Sequence, residues 1–168
     1  MADDGLPIDV RVTHEGLDAL VRAIREEEDG KELRKELAKN MREALKPAAV
    51  QAKSGIMSMS SAGLSTGPAL RSQIAKKIRP EVKLGGRWTG ARVKARKIPA
   101  IRGFANAPKR TQAAAGWRTQ SWGNGTWRVQ HGKVGWFDRA LEGDVSRYRA
   151  AVLAAMEAMA RRIADRAR

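Results

Sequence analysis

The chain has 168 residues, 33 Lys/Arg against 18 Asp/Glu, a formal net charge of +15 and no cysteine. Disulfides, thiolate nucleophiles and thiolate zinc sites are thereby excluded. Aromatic residues are 5% of the chain and alanine supplies much of its 42% hydrophobic content, so one modest domain that gains stability by packing on copies or partners is expected.

The N-terminal MADDGLPIDV is acidic and lacks the basic start and apolar core of a signal peptide. No apolar run approaches the roughly 18 residues of a membrane span. The expectation is a protein made in the cytoplasm, with no membrane partner. Ile8, Val10 and Val12 alternate with polar residues and predict a strand over 8–13. Thr13 caps a helix over 14–28, with Leu17, Leu20, Val21 and Ile24 at helical spacing. Glu26–Asp29 and Gly30 end it or interrupt it. A long helix over 31–59 follows, its stripe formed by Leu33, Leu37, Met41, Ala44, Leu45, Ala48, Ala52 and Ile56. Pro47 predicts a kink within it, with the helix continuing because the apolar stripe resumes in phase. Ser58–Gly67 reads as a polar loop, after which Thr66 caps a short helix with Pro68 in its first turn. Leu70, Ile74 and Ile78 form the apolar face of that helix, and Pro80 stops it.

A β-hairpin is predicted next: strand 80–84, a turn at Gly85-Gly86, and strand 87–95, with Gly90 marking a bulge. Residues 96–116 hold two prolines and no clear period, and read as a long irregular loop. Charge concentrates here. Residues 71–118 carry 14 Lys/Arg and a single carboxylate, Glu81, whereas residues 1–70 carry 10 Lys/Arg and 12 Asp/Glu. Such a density predicts contact with an anion, either DNA phosphates or an acidic protein surface, against the plainer reading of a solvated basic hairpin. The candidate contacts are Arg87, Arg92, Lys94, Arg96, Lys97, Arg102, Lys109, Arg110 and Arg118, with Trp88 placed to stack on a base or sugar. No helix-turn-helix, zinc finger or single-stranded-RNA sheet motif accompanies them.

Four of the five tryptophans lie in Gly116–Leu141: Trp117, Trp122, Trp127 and Trp136. Gly123-Asn124-Gly125 signals a turn and 126–131 a strand. Trp127, Trp136 and Phe137 are assigned to the core, while Trp117 and Trp122 are equally suited to core edges or interface anchors. A terminal helix over 138–167 is expected, with Val145, Val152, Met156, Met159 and Ile163 on its stripe and arginines complementing its C-terminal dipole.

His14 and His131 lie far apart and outside any His-x-x-x-His pattern, so metal binding is disfavoured. No phosphate-binding glycine loop and no Gly-x-Ser-x-Gly is present, and Glu26–Asp29 reads as a solvated helix end. No catalytic, cofactor-binding or metal residue is assigned, no cofactor is expected, and an enzyme is the least favoured class.

These segments, taken together, resemble a known family. Leu33–Leu37 (LRKEL) and Ala44–Ala48 (ALKPA) come first, then Gly67–Ala75 (GPALRSQIA), then the block Gly116–Leu141 with its W-G-N, W-x-V-Q and G-W-F-D-R-A-L motifs. The pattern is similar to small neck and tail-completion (minor tail component) proteins of long-tailed phages, of which the lambda tail protein Z is a more remote relative. The likeness covers roughly residues 10–165. Where family members often carry R-H-P-x-F-G, this chain has Arg118–Gly123 without the His-Pro pair. The resemblance implies a structural virion protein at the head-proximal end of the tail. It would form a ring, expected as a hexamer, beside tail terminator, head-closure and tail tube proteins, with genomic DNA in the channel. It also implies an α+β fold, a small antiparallel sheet with a basic β-hairpin packed by long N-terminal and C-terminal helices. We expect one sheet from 8–13, 80–84, 87–95 and 126–131, and an extended basic arm over 87–118. The rival reading is a free-standing basic nucleic-acid-binding protein.

Overall fold

The computed structural model describes residues 8–12, 16–60, 69–101, 103–120 and 124–167. The expected caps Thr13 and Thr66, His14, Pro68, Arg102 and Trp122, and most of the 58–67 loop, lie outside the described residues. The elements run β1 (Ile8–Val12), α1 (Leu17–Glu26), α2 (Gly30–Met57), α3 (Leu70–Lys76), β2 (Ile78–Lys83), β3 (Gly90–Ala95), α4 (Ala107–Gln112), β4 (Trp117–Gln120), β5 (Trp127–Gln130), α5 (Trp136–Leu141) and α6 (Val145–Arg166). The fold is α+β, with long N- and C-terminal helices and two small sheets. One sheet has the order β1-β3-β2 and the other is the antiparallel pair β4-β5. The single sheet expected from the sequence is therefore corrected. The strand at 127–130 leaves it to pair with β4, whose four residues carry too short an alternation to stand out.

The tertiary contacts divide the chain into two units. One comprises Val10–Ala49, Arg79–Val93 and Gly143–Arg168. Its core comes from stripes at three- and four-residue spacing: Leu17, Val21 and Ile24 of α1, Leu33, Leu37, Met41 and Leu45 of α2, and Tyr148, Val152, Met156 and Met159 of α6 are all buried. Arg162 of α6 pairs with Glu36 of α2, and Arg166 pairs with Asp29 at 2.8 Å. The C-terminal arginines thus hold carboxylates across the helices, where the sequence suggested only a role at their own helix end. The connection between β2 and β3 spans Leu84–Thr89 and is longer than the two-residue turn expected. Gly85 and Gly86 take φ of 119° and 94°, which side chains disfavour.

The other unit contains Val50–Ile78 and Lys94–Glu142. Its core holds Ala52, Ile56, Ile74, Ile78, Ile98, Ala107, Trp136, Phe137 and Leu141. α3 ends at Lys76 and β2 begins at Ile78, so Pro80 sits inside a strand instead of stopping a helix. Proline is tolerated there because β2 lies at the sheet's edge, where one side of the strand needs no ladder donor. The stretch read as an irregular loop is folded back on itself. Ile98 N–H donates to the Ala105 carbonyl at 2.8 Å, successive short turns reach Ala107, and α4 starts with Pro108 in its first turn.

Two further expectations change. Residues 87–118 are no extended arm: β3 is the middle strand of its sheet, and Ala91, Val93, Ala95, Ile98, Ala107 and Thr111 are buried. The terminal helix is not continuous over 138–167, because Glu142–Asp144 forms a 3-10 turn between α5 and α6. Pro47 lies within α2, as expected, with its ring exposed on the outer face, and the helix runs on to Met57.

Candidate assembly interface

The β4-β5 ribbon is fixed by its base. Gly116 adopts φ +63°, and a Cβ there would lie 2.0 Å from the Gln130 carbonyl oxygen. Only glycine accommodates both the left-handed backbone and that approach. A Cβ on Gly132 would meet the Thr111 carbonyl oxygen at 2.4 Å, so the chain leaving β5 is pressed against α4. His131 Nδ1 lies 3.1 Å from the Ala114 carbonyl oxygen. At the other end, the Asn124 side-chain oxygen accepts the Thr126 N–H at 3.1 Å, and Gln120 donates to the Gly125 carbonyl at 3.1 Å.

Beneath the ribbon, α4 and α5 are clasped by polar contacts around an aromatic pair. Trp136 is 1% exposed and its indole N–H donates to Thr111 Oγ1 at 3.2 Å. Thr111 in turn donates to the Ala107 carbonyl at 2.8 Å, so both buried polar groups are satisfied. Gln112 accepts the Phe137 N–H at 2.8 Å and donates to Asp138 at 3.0 Å. The Trp136 and Phe137 rings meet edge to face, with centroids 5.5 Å apart. The core assignment of Trp136 and Phe137 therefore holds.

Trp127 departs from it. The register pairs Trp117 with Gln130, Arg118 with Val129, Thr119 with Arg128 and Gln120 with Trp127. Side chains alternate between the two faces, so one face carries Trp117, Thr119, Arg128 and Gln130, and the other Arg118, Gln120, Trp127 and Val129. Trp117 is half-buried against Phe104, ring centroids 5.2 Å apart, which makes it a core edge. The second face points outward: Trp127 is 57% exposed and Val129 55%. The Arg118 guanidinium lies 6.0 Å from the Trp127 ring centroid. An exposed tryptophan and valine side by side, with an arginine and a glutamine across the ladder, make an apolar patch with polar neighbours. Residue type alone pointed Trp127 inward; only the register with β4 shows which face it occupies.

The remaining basic candidates divide. Arg92 is buried at 6% exposure, and its Nε and Nη2 both reach Glu81 Oε2, at 2.6 and 2.5 Å. Its guanidinium also lies 4.3 Å from the Trp88 ring centroid. Arg92 is thus removed from the contact set, and Trp88 is occupied by an internal stacking partner. Arg87, Arg96, Lys97, Arg110 and Arg118 are exposed, and Lys94 and Lys109 half-buried. Arg87 falls in one unit and Lys94, Arg96, Lys97, Lys109, Arg110 and Arg118 in the other. Among the described residues no group of three or more His, Asp or Glu side chains is placed to hold a metal ion, and no helix is long and apolar enough to cross a membrane.

No known protein family, curated protein or solved structure matches this chain.

Proposed function

We propose that this chain is a structural protein of the neck, or tail-completion, region of a long-tailed phage virion. In this reading copies of the chain form a ring, taken as a hexamer, at the head-proximal end of the tail and join tail to head alongside tail terminator, head-closure and tail tube proteins. The observation that carries the reading is the outward face of the β4-β5 ribbon. It lies within the Gly116–Leu141 block on which the family resemblance rests. A two-stranded ribbon is at best marginal without cover, yet this one presents Trp127 and Val129 to solvent. A fully buried tryptophan removes roughly 250 Å² from water, so the exposed 57% of Trp127 is on the order of 140 Å². Covering it with a partner is worth about 3.5 kcal/mol at 25 cal/mol/Å². That suits an assembly surface better than a lone soluble domain.

The test is Trp127→Ser combined with Val129→Ser. The isolated chain should keep its helical circular dichroism, lose its ring by native mass measurement, and leave virions with unjoined tails. Normal rings and normally joined tails would exclude the ribbon as the assembly surface. The rival, a free nucleic-acid-binding protein, predicts sub-micromolar, steeply salt-dependent binding to random duplex DNA that the double variant leaves intact.

A further inference from the structure

The chain has three asparagines, Asn40, Asn106 and Asn124, and the fold treats the peptide that follows each of them differently. Met41 is buried inside α2, where its N–H belongs to the helix ladder. Ala107 is fully buried, and its N–H donates to the Phe104 carbonyl at 3.0 Å. Asn124 is followed by Gly125, and both are exposed at the tip of the ribbon. The nearest atom that a Cβ on Gly125 would meet is Gln120 Nε2 at 3.4 Å, so among the described residues nothing crowds that peptide.

The tip also sets the Asn124 side chain against this peptide. Its Oδ1 accepts the Thr126 N–H at 3.1 Å, an Asx turn that folds the side chain back over the peptide between Asn124 and Gly125. A donor on Oδ1 draws electron density from the side-chain carbonyl carbon and would stabilise an oxyanion formed there. Gly125 itself is held at φ +67° by the Gln120 side chain, which donates to its carbonyl at 3.1 Å. The surroundings favour an anion: residues 94–142 carry ten Lys/Arg and only two carboxylates, Asp138 and Glu142.

We propose that Asn124 is a self-modification site, at which the ribbon tip deamidates without an enzyme. Hydroxide removes the Gly125 amide proton, and the nitrogen attacks the Asn124 side-chain carbonyl carbon. The new C–N bond closes a cyclic imide as the bond to the side-chain nitrogen breaks, and that nitrogen takes up a proton and leaves as ammonia. Water then opens the imide at either carbonyl, giving aspartate or isoaspartate. Both products place a new carboxylate at the tip of a basic unit. Isoaspartate also lengthens the main chain between β4 and β5 by one methylene and withdraws the oxygen that Thr126 N–H now reaches. The reaction needs only the free chain and does not rest on the assembly reading.

The experiment incubates the full-length chain at neutral and mildly alkaline pH, folded and in urea, and maps aspartate and isoaspartate at each asparagine by peptide mass spectrometry. Asn124 should convert as fast in the folded chain as in the unfolded one, and faster as pH rises. Asn40 and Asn106 should convert at least about tenfold more slowly folded than unfolded, because the N–H that follows each must first leave its hydrogen bond. Asn124→Ser keeps an oxygen for the Thr126 N–H and should remove the acidic species while the ribbon stays formed. In the converted chain, amide exchange should quicken at Thr126 and Trp127 and stay unchanged in α2. Three outcomes overturn the proposal: Asn124 protected by folding to the same degree as Asn106, an acidic species that persists in Asn124→Ser, or conversion that does not respond to pH.

Discussion

Glu81→Gln is the most informative single change outside the ribbon. Glu81 is the only carboxylate among residues 71–118, and a sequence reading could discard it as incidental. In the fold it neutralises Arg92, whose side chain is 8% exposed against 18% for Glu81. Removing one partner of a buried pair leaves a desolvated charge uncompensated, at a cost of about 3–5 kcal/mol. Water reaches one edge of Glu81, so we expect the lower end, about 3 kcal/mol. At about 2–4 °C per kcal/mol for a chain of this size, the midpoint should fall by roughly 6–12 °C. Removing both charges, with Glu81→Leu and Arg92→Met, takes away the attraction and the burial cost together. The double variant should sit within about 1 kcal/mol of the parent. Urea denaturation of Glu81→Leu alone, Arg92→Met alone and the double closes the cycle. If each single change costs under about 1 kcal/mol and the effects simply add, the pair is not the buried, mutually dependent element described above.

Three other changes follow from the packing. Trp136→Ala should cost about 3–5 kcal/mol, because a fully buried indole is lost and Thr111 loses a donor, measurable as a lowered urea midpoint. Gly116→Ala combines a left-handed backbone with a 2.0 Å approach to the Gln130 carbonyl oxygen, and should destabilise the ribbon by at least about 2 kcal/mol, seen as faster amide exchange in β5. Asp29→Asn with Glu36→Gln removes two ion pairs whose side chains are about 40% exposed, so the loss should stay within about 1 kcal/mol and shrink further at high salt.

What the sequence disclosed depends on how far each pattern extends. The stripe from Leu33 to Ile56 is long enough that Pro47 could not mask it, and α2 is read within two residues of its observed ends. β4 was missed because Trp117–Gln120 is only four residues long, and α4 because Pro108 looks like loop punctuation until its missing N–H is seen to fall in a first turn. The break at Glu142–Asp144 was hidden by the apolar stripes on either side of it. Charge counting located the basic segment but could not separate Arg92, which is paired internally, from Arg96, which faces solvent.

The close approaches at Gly116 and Gly132 carry a kinetic consequence. Both bring backbone nearer to Gln130 and Thr111 than a Cβ would permit, so the base of the ribbon is set before any partner arrives. A surface already in its docking geometry spends little of its binding free energy on ordering backbone. Association through it should therefore proceed as a single concentration-dependent phase, with no slower step that is independent of concentration, and loss of Trp127 should appear chiefly as faster dissociation.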